Sequence, residues 1–215
     1  KVFEYPKPSE AVNMFVDDMT GLAKKLVLEA SPDEENVVGS NLFVLLDDKK
    51  MPYPAMAIPL SVARSVEERK EIVKHAVHAL AKRKDIDVKV FVNISEAYAS
   101  MNVEDPETAP RPSEDPKAVE VVVISAQDAV GNYKIKMMRL QRGEKLSLSE
   151  NGVESYNLDW KNIHQGAPVE KENLTIDQGV AKLAQDGKMS VQDEIMNTAW
   201  REYVVAKMLA GANMF

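Results

Sequence analysis

Two segments in the first half of the chain carry apolar residues at helical spacing. Between residues 9 and 30 the apolar side chains recur every three or four positions, and Ser9 is placed to cap the first turn. The second segment, residues 66–84, begins behind Ser65, which forms a capping box with Glu68. Each segment has one apolar side, so we predict two helices that pack on the same face of a sheet.

Short apolar runs predict the strands. Residues 42–46 are continuously apolar, as in a strand covered on both faces, and residues 88–94 alternate between apolar and polar. Three strands follow residue 119, joined by turns at Gly131 and Gly143, which is typical of an antiparallel meander. Because helices and strands do not alternate regularly, we predict an α+β fold. It contains a mainly antiparallel sheet of about four to six strands, helices on one face and a C-terminal helical hairpin.

Prolines constrain two further segments. Pro52, Pro54 and Pro59 flank the apolar residues 55–58, so this strand should lie at the edge of the sheet or end early. Residues 101–117 contain four prolines and five acidic residues. Such a stretch forms neither a helix nor a central strand, and we predict an exposed loop between two strands.

Residues 161–215 differ in character from the α+β domain that we predict for residues 1–160. Capping-box patterns begin at Thr175 and at Ser190, and they predict a short helix followed by a long helix. Two helices with a tight connection form a helical hairpin. We therefore predict a helical C-terminal extension.

The long C-terminal helix is apolar on two sides. Trp200, Val204 and Met208 form one stripe, roughly opposite a stripe that contains Tyr203. A helix with two apolar sides needs two partners. We expect one partner to be the domain and the other a second chain, so these four residues predict an interaction surface and a homo-oligomer.

Composition narrows the classes of function. The 215-residue chain has no cysteine, which excludes disulfides, thiolate nucleophiles and cysteine-ligated metal centres. Its net charge of −7 argues against general nucleic-acid binding. The sequence has neither an apolar signal segment nor the roughly 18 consecutive apolar residues that cross a bilayer. We expect a cytoplasmic protein without a cofactor, although Lys1 in place of methionine indicates that the natural start is missing.

The strongest metal candidate lies on the second helix. Glu71, His75 and His78 fall within about 60° of one another on a helical wheel, so a carboxylate and two imidazoles could meet one ion. Lys74 and Lys82 crowd the same polar side and would repel a cation. A solvated helix face is therefore the favoured interpretation, and the common nucleotide, hydrolase and zinc-protease motifs are absent from the sequence.

A basic strand is the candidate anion site. Lys134 and Lys136 share one side of the strand at residues 133–142, and a bulge would be needed to bring Arg139 to the same side. The three could bind a small anion or a phosphate. A sheet edge protected by charge explains the same residues more simply.

One stretch resembles a known group of proteins. Ser95-Glu96-Ala97-Tyr98 ends a predicted strand, and the loop Pro112-Ser113-Glu114-Asp115-Pro116 leads into the next strand. This arrangement resembles a group of uncharacterised bacterial and phage proteins with a strand that ends in Ser-Glu-Ala-Trp, a Pro-Ser-Glu-Asp-Pro loop and a Glu-led apolar strand.

The resemblance covers residues 88–126. Lys117 and Glu120 fit the pattern, whereas Tyr98 stands in place of Trp and Ala118 in place of Arg. The group has no assigned activity, so the resemblance implies a microbial or phage origin and no catalytic residue.

Two classes of function follow from these patterns. The favoured hypothesis is a non-enzymatic interaction or assembly protein that binds a protein partner or self-associates through residues 175–215. The alternative is a small-molecule or phosphoester enzyme with a site near the basic strand. We favour the first because the common catalytic motifs are missing.

Overall fold

A computed structural model describes residues 8–47, 55–99, 114, 116–149 and 191–211. The described residues form three helices and six strands, which confirms the predicted α+β class and the antiparallel sheet. The elements are α1 (Pro8–Glu29), β1 (Asn41–Asp47), β2 (Ala55–Pro59), α2 (Val66–Ala81), β3 (Asp87–Ala99), β4 (Val119–Asp128), β5 (Tyr133–Gln141), β6 (Ser147–Ser149) and α3 (Val191–Leu209).

The sheet has the order β2-β1-β3-β4-β5-β6, and each neighbouring pair is antiparallel. The strand β2 lies at an edge, as its flanking prolines predict. The meander predicted for the later strands is confirmed, because β3 to β6 pair in chain order. The predicted loop at residues 101–117 and the predicted short helix after Thr175 fall mostly or entirely outside the described residues.

The prediction that the helices pack on the same face of the sheet is wrong. Helix α1 packs on one face, over a core that includes Leu45, Val92 and Ile124. Helices α2 and α3 pack on the other face, over residues such as Val44 and Phe91. The central strands are apolar on both sides, so each face needs its own cover. The result is three layers with the sheet in the middle.

Helices α2 and α3 run side by side in the same direction. Lys70 forms an ion pair with Glu194 at 2.7 Å, and His78 contacts Glu202 at 3.0 Å. Both pairs are 124 residues apart in sequence, and this constant offset requires parallel helices. Helix α3 thus shares a core with the sheet and α2, and it is a layer of the domain rather than an extension of it. None of the described helices is long and apolar enough to cross a membrane.

The two predicted stripes of α3 are largely buried together. Trp200 and Tyr203 are each only 4% exposed, and their rings pack edge-on against Phe91 at 4.7 and 6.3 Å between centroids. The prediction that these two residues belong to an interaction surface is therefore wrong. Helix α3 packs against both α2 and the sheet, and one broad side of the helix makes both contacts. Val204 is half-buried and Met208 is 65% exposed.

Lys207 and Tyr203 anchor the end of α3. The buried Lys207 ammonium donates to the carbonyls of Arg83 and Ile86 at 3.0 and 3.2 Å, and it lies 3.2 Å from the carboxylate of Asp87. The Tyr203 hydroxyl accepts a hydrogen bond from the amide of Val88 at 3.0 Å. These contacts tie the last turns of α3 to the connection between α2 and β3.

Candidate functional site

A polar cleft of about 710 Å³ opens on the α1 side of the sheet, where the end of β3 meets the start of β4. Its volume falls within the range of about 300–1,000 Å³ that is typical of small-ligand sites. Its walls come from the loop after α1, from β3 and β4, and from the residue that follows β5. The lining residues are Glu35, Asn36, Glu96, Ala97, Tyr98, Ala118, Glu120 and Arg142.

Glu96 is held in the cleft by the loop between α1 and β1. Side chains alternate along a strand, and Ile94 packs in the α1 core, so Glu96 points to the same side. Its carboxylate accepts hydrogen bonds from the backbone amides of Val38 and Gly39. Gly39 adopts a φ of 69°, which a glycine tolerates, and this turn aims two successive amides at one oxygen. The carboxylate is therefore fixed in position before any ligand arrives.

Arg142 and Glu120 form the opposite wall. The guanidinium binds the carboxylate through two hydrogen bonds, Nε to Oε2 at 2.6 Å and Nη2 to Oε1 at 3.0 Å. Its Nη1 also donates to the carbonyls of Pro32 and Glu34 at 3.1 and 2.8 Å. The hydrogen bonds with Glu120 raise the pKa of Arg142 above its ordinary value, although partial desolvation opposes them. Arg142 thus connects the sheet to the loop after α1 through its hydrogen bonds.

The cleft has an excess of negative charge. The lining residues include three carboxylates and one guanidinium, and that guanidinium is hydrogen-bonded to Glu120 and also attracts Glu96, so the lining as a whole stays net negative. Tyr98 lies directly across from Glu120 in the β3–β4 pair, and it is 56% exposed. A fixed carboxylate beside an open aromatic ring can bind an organic cation by charge attraction and by cation–π contact.

The structure does not bring the three predicted metal ligands together. Glu71 and His75 are 3.9 Å apart on the exposed side of α2, whereas His78 turns to Glu202 on α3. Across the described parts of the chain, no group of three histidine, cysteine, aspartate or glutamate residues could hold a metal ion.

The three basic residues of β5 are also separated. The β4–β5 register continues without a shift from Val121 to Gln127, so the bulge required for a joint anion site does not form. Lys134 and Lys136 lie on the α1 side of the sheet, and Arg139 lies on the other. The strand β6 pairs only with the last three residues of β5. The part of β5 that carries the two lysines is thus left at the edge of the described sheet, in line with protection of that edge by charge.

Several of the cleft residues stand out in the sequence, although no local pattern marks them as a site. Glu96, Tyr98 and Glu120 are among the residues that carry the resemblance, and all three line the cleft. Arg142 ends the segment 133–142 that the sequence predicts as a basic strand. The antiparallel register was the available signal, since it places Arg142 diagonally across from Glu120 on the same side of the sheet.

Comparisons of the chain with known proteins found no matching family model, no matching curated protein and no matching solved structure.

Proposed function

We propose that the protein is a non-enzymatic interaction protein whose cleft binds the side chain of a lysine or arginine from a protein partner. The observation that carries this proposal is the pairing of Glu96 with Tyr98. Both project into the cleft from one strand, and the carboxylate of Glu96 is fixed by two backbone amides. The class of function is the one favoured from the sequence, but the surface is a different one.

The charges of the cleft select a cation over an anion. The guanidinium of Arg142 already makes four hydrogen bonds, two to Glu120 and two to backbone carbonyls. It is therefore poorly placed to receive a phosphate or carboxylate ligand. Because Glu35 and Glu96 supply net negative charge, an anionic ligand would also be repelled. This argues against the alternative of a phosphoester enzyme.

The rigidity of the cleft favours binding. Loop and strands are joined around it by hydrogen bonds between residues 58 and 110 positions apart in the chain. A site that is already ordered loses little conformational freedom when the ligand binds, so more of the interaction energy appears as affinity.

The test is calorimetric titration with a short peptide that contains one arginine, and with the same peptide carrying citrulline in its place. We expect the arginine peptide to bind, and the neutral citrulline peptide to bind about tenfold more weakly or not at all. Glu96→Gln should weaken binding of the arginine peptide about tenfold, because the side-chain amide can still accept hydrogen bonds from the backbone but carries no charge. Asp17→Asn, which removes an exposed charge on α1, is the matched control. Equal binding of both peptides, or equal losses in both variants, would contradict the proposal.

Self-association through α3 is a second candidate. Val205, Met208 and Leu209 have the spacing of one helical face and are 44%, 65% and 82% exposed. We call these three residues the C-terminal patch. The patch is small compared with a standard interface of about 800 Å² per partner, so a dimer formed through it should be weak.

Light scattering over a range of concentrations tests the second candidate. A concentration-dependent dimer that Leu209→Lys abolishes, and that Val62→Lys leaves intact, would support the C-terminal patch; Val62 is an apolar residue of similar exposure elsewhere on the surface. A monomer at every concentration would remove this candidate. A cytoplasmic location and a microbial or phage origin stay predictions.

A further inference from the structure

A second polar cluster lies on the other face of the sheet, under the layer of α2 and α3. Five buried side-chain nitrogen or oxygen atoms have no hydrogen-bond partner within the described structure. Four of the five belong to Asn93, Ser125, Gln127 and Trp200, which we call the polar quartet. All four side chains are at least 96% buried.

Strand register and ring contacts bring the quartet together around Phe91. Asn93 is directly opposite Ser125 in the β3–β4 pair, and Phe91 is directly opposite Gln127. Directly opposed residues have Cβ atoms about 5 Å apart. The ring of Trp200 packs on the ring of Phe91 with centroids 4.7 Å apart. The four residues are therefore neighbours on two strands and one helix.

The unpaired atoms are complementary in kind. The Oδ1 atom of Asn93 is an acceptor, the Nε2 of Gln127 and the Nε1 of Trp200 are donors, and the Oγ of Ser125 can do both. More than about nine tenths of buried polar groups in folded proteins have a partner, because an unpaired one loses its hydrogen bonds to water without replacement. Four such groups in one place indicate a molecule that bonds to them.

The charges around the quartet exclude an ion. None of its members is ionisable. The neighbouring acid, Asp128, follows Gln127 in β4 and therefore points to the opposite face. Its carboxylate is occupied by the amide of Val130 and by the backbone and side-chain nitrogens of Asn132. An ion bound at the quartet would be buried without a counter-charge, which is strongly unfavourable.

We propose that the polar quartet binds a neutral guest that both donates and accepts hydrogen bonds. The guest is either ordered water or a small organic molecule with hydroxyl or amide groups. Buried water occurs about once per 27 residues in globular proteins and bonds to such otherwise unpaired groups. This site is distinct from the carboxylate-lined cleft, which lies on the opposite face of the same two strands.

The test begins with thermal unfolding of the full chain. Ser125→Ala removes one unpaired hydroxyl and no other polar group. If a guest is bound, this variant should lower Tm, by about 3 °C for a chain of this size, because the guest loses a partner. Thr20→Val is the matched control, since its buried hydroxyl already donates to the carbonyl of Val16 at 2.7 Å. If the quartet is empty, removal of an unpaired polar atom should leave Tm unchanged or raise it.

Two further measurements identify the guest and do not depend on the variants. Native mass spectrometry of the wild-type chain would show added mass for an organic molecule, lost after unfolding and refolding. A crystal structure would show density within hydrogen-bond distance of the four polar atoms in either case. Density without added mass assigns water, and density with added mass assigns an organic guest. An empty site together with an unchanged or raised Tm would overturn the proposal.

Discussion

The strands β3 and β4 present two polar clusters of opposite character on their two faces. On the α1 side, Glu96 and Glu120 are acidic, half-buried at the wall of the cleft and held by hydrogen bonds. On the other side, Asn93 and Ser125 are neutral and buried, and the Oδ1 of Asn93 and the Oγ of Ser125 have no partner among the described residues. Alternation of side chains along a strand separates the two clusters although they lie a few residues apart. Burial and charge, rather than position in the sequence, therefore decide which kind of ligand each cluster can bind.

The largest difference between the two faces should be seen with two aromatic residues of β3. Phe91→Ala should lower the free energy of unfolding by about 4 kcal/mol, because the ring is fully buried against Trp200 and Tyr203. Tyr98→Ala should change it by less than about 0.5 kcal/mol, since that ring is more than half exposed on the cleft side. Urea unfolding of the two variants measures both. Similar losses would show that the cleft side is part of the core.

Two cations that tie loop carbonyls to the domain give the next contrast. Lys207→Met should lower the free energy of unfolding by about 2 kcal/mol. The variant removes the ammonium that donates to the carbonyls of Arg83 and Ile86 at a buried position. Arg142→Met should lower the free energy of unfolding by about 1 kcal/mol, because the loop carbonyls that lose their donor can bind water instead. Chemical denaturation compares the two. A larger loss for Arg142→Met would indicate that the cleft wall contributes more to stability than the anchor of α3.

Alkaline pH should destabilise the buried side through Tyr203. Burial raises the pKa of its hydroxyl above the ordinary value near 10, more than the amide of Val88 and the nearby Lys207 lower it. The folded state thus retains a proton that the unfolded state loses, so the contribution of this group is present below pH 10 and lost as pH rises above it. The Tyr203→Phe variant should be about 1 kcal/mol less stable than the wild type at pH 7. This difference in the free energy of unfolding, the gap, should shrink above pH 10. Unfolding at pH 7 to 11 measures the gap, and a gap that grows with pH would contradict the assignment.

The smallest effect on stability is expected at Glu96. Glu96→Gln retains an oxygen that accepts from the amides of Val38 and Gly39, so the free energy of unfolding should change by less than about 0.5 kcal/mol. The same variant should clearly weaken binding of the arginine peptide. Thermal unfolding and calorimetry on one preparation separate the two effects. A large loss of stability would mean that the carboxylate serves the fold rather than a ligand.

Local patterns predicted the elements of this fold well. The capping box at the start of α2 is present, with the Ser65 hydroxyl accepting from the amide of Glu68 at 3.1 Å. The prolines around β2 predicted an edge strand, and Gly131 marked the turn between β4 and β5. Each of these features depends on residues within a few positions of one another, where the sequence pattern and the structural cause are the same.

Features that depend on distant residues were predicted poorly. Periodicity indicates that a side of α1 or α2 is apolar, but it does not tell which face of the sheet that side covers. The cleft joins residues 22 to 110 positions apart, which local spacing cannot reveal. The quartet did leave a signal, since Ser125 and Gln127 are polar residues at the end of a strand that is otherwise strongly apolar.

The most direct test of the proposed function is a map of backbone amide shifts by NMR as the arginine peptide is added to the labelled chain. The account predicts concentration-dependent shifts at Val38, Gly39, Glu96 and Tyr98 with the arginine peptide, and much smaller shifts with the citrulline peptide. Shifts confined to other parts of the chain, or equal shifts with both peptides, would contradict the claim that the cleft binds a cationic side chain.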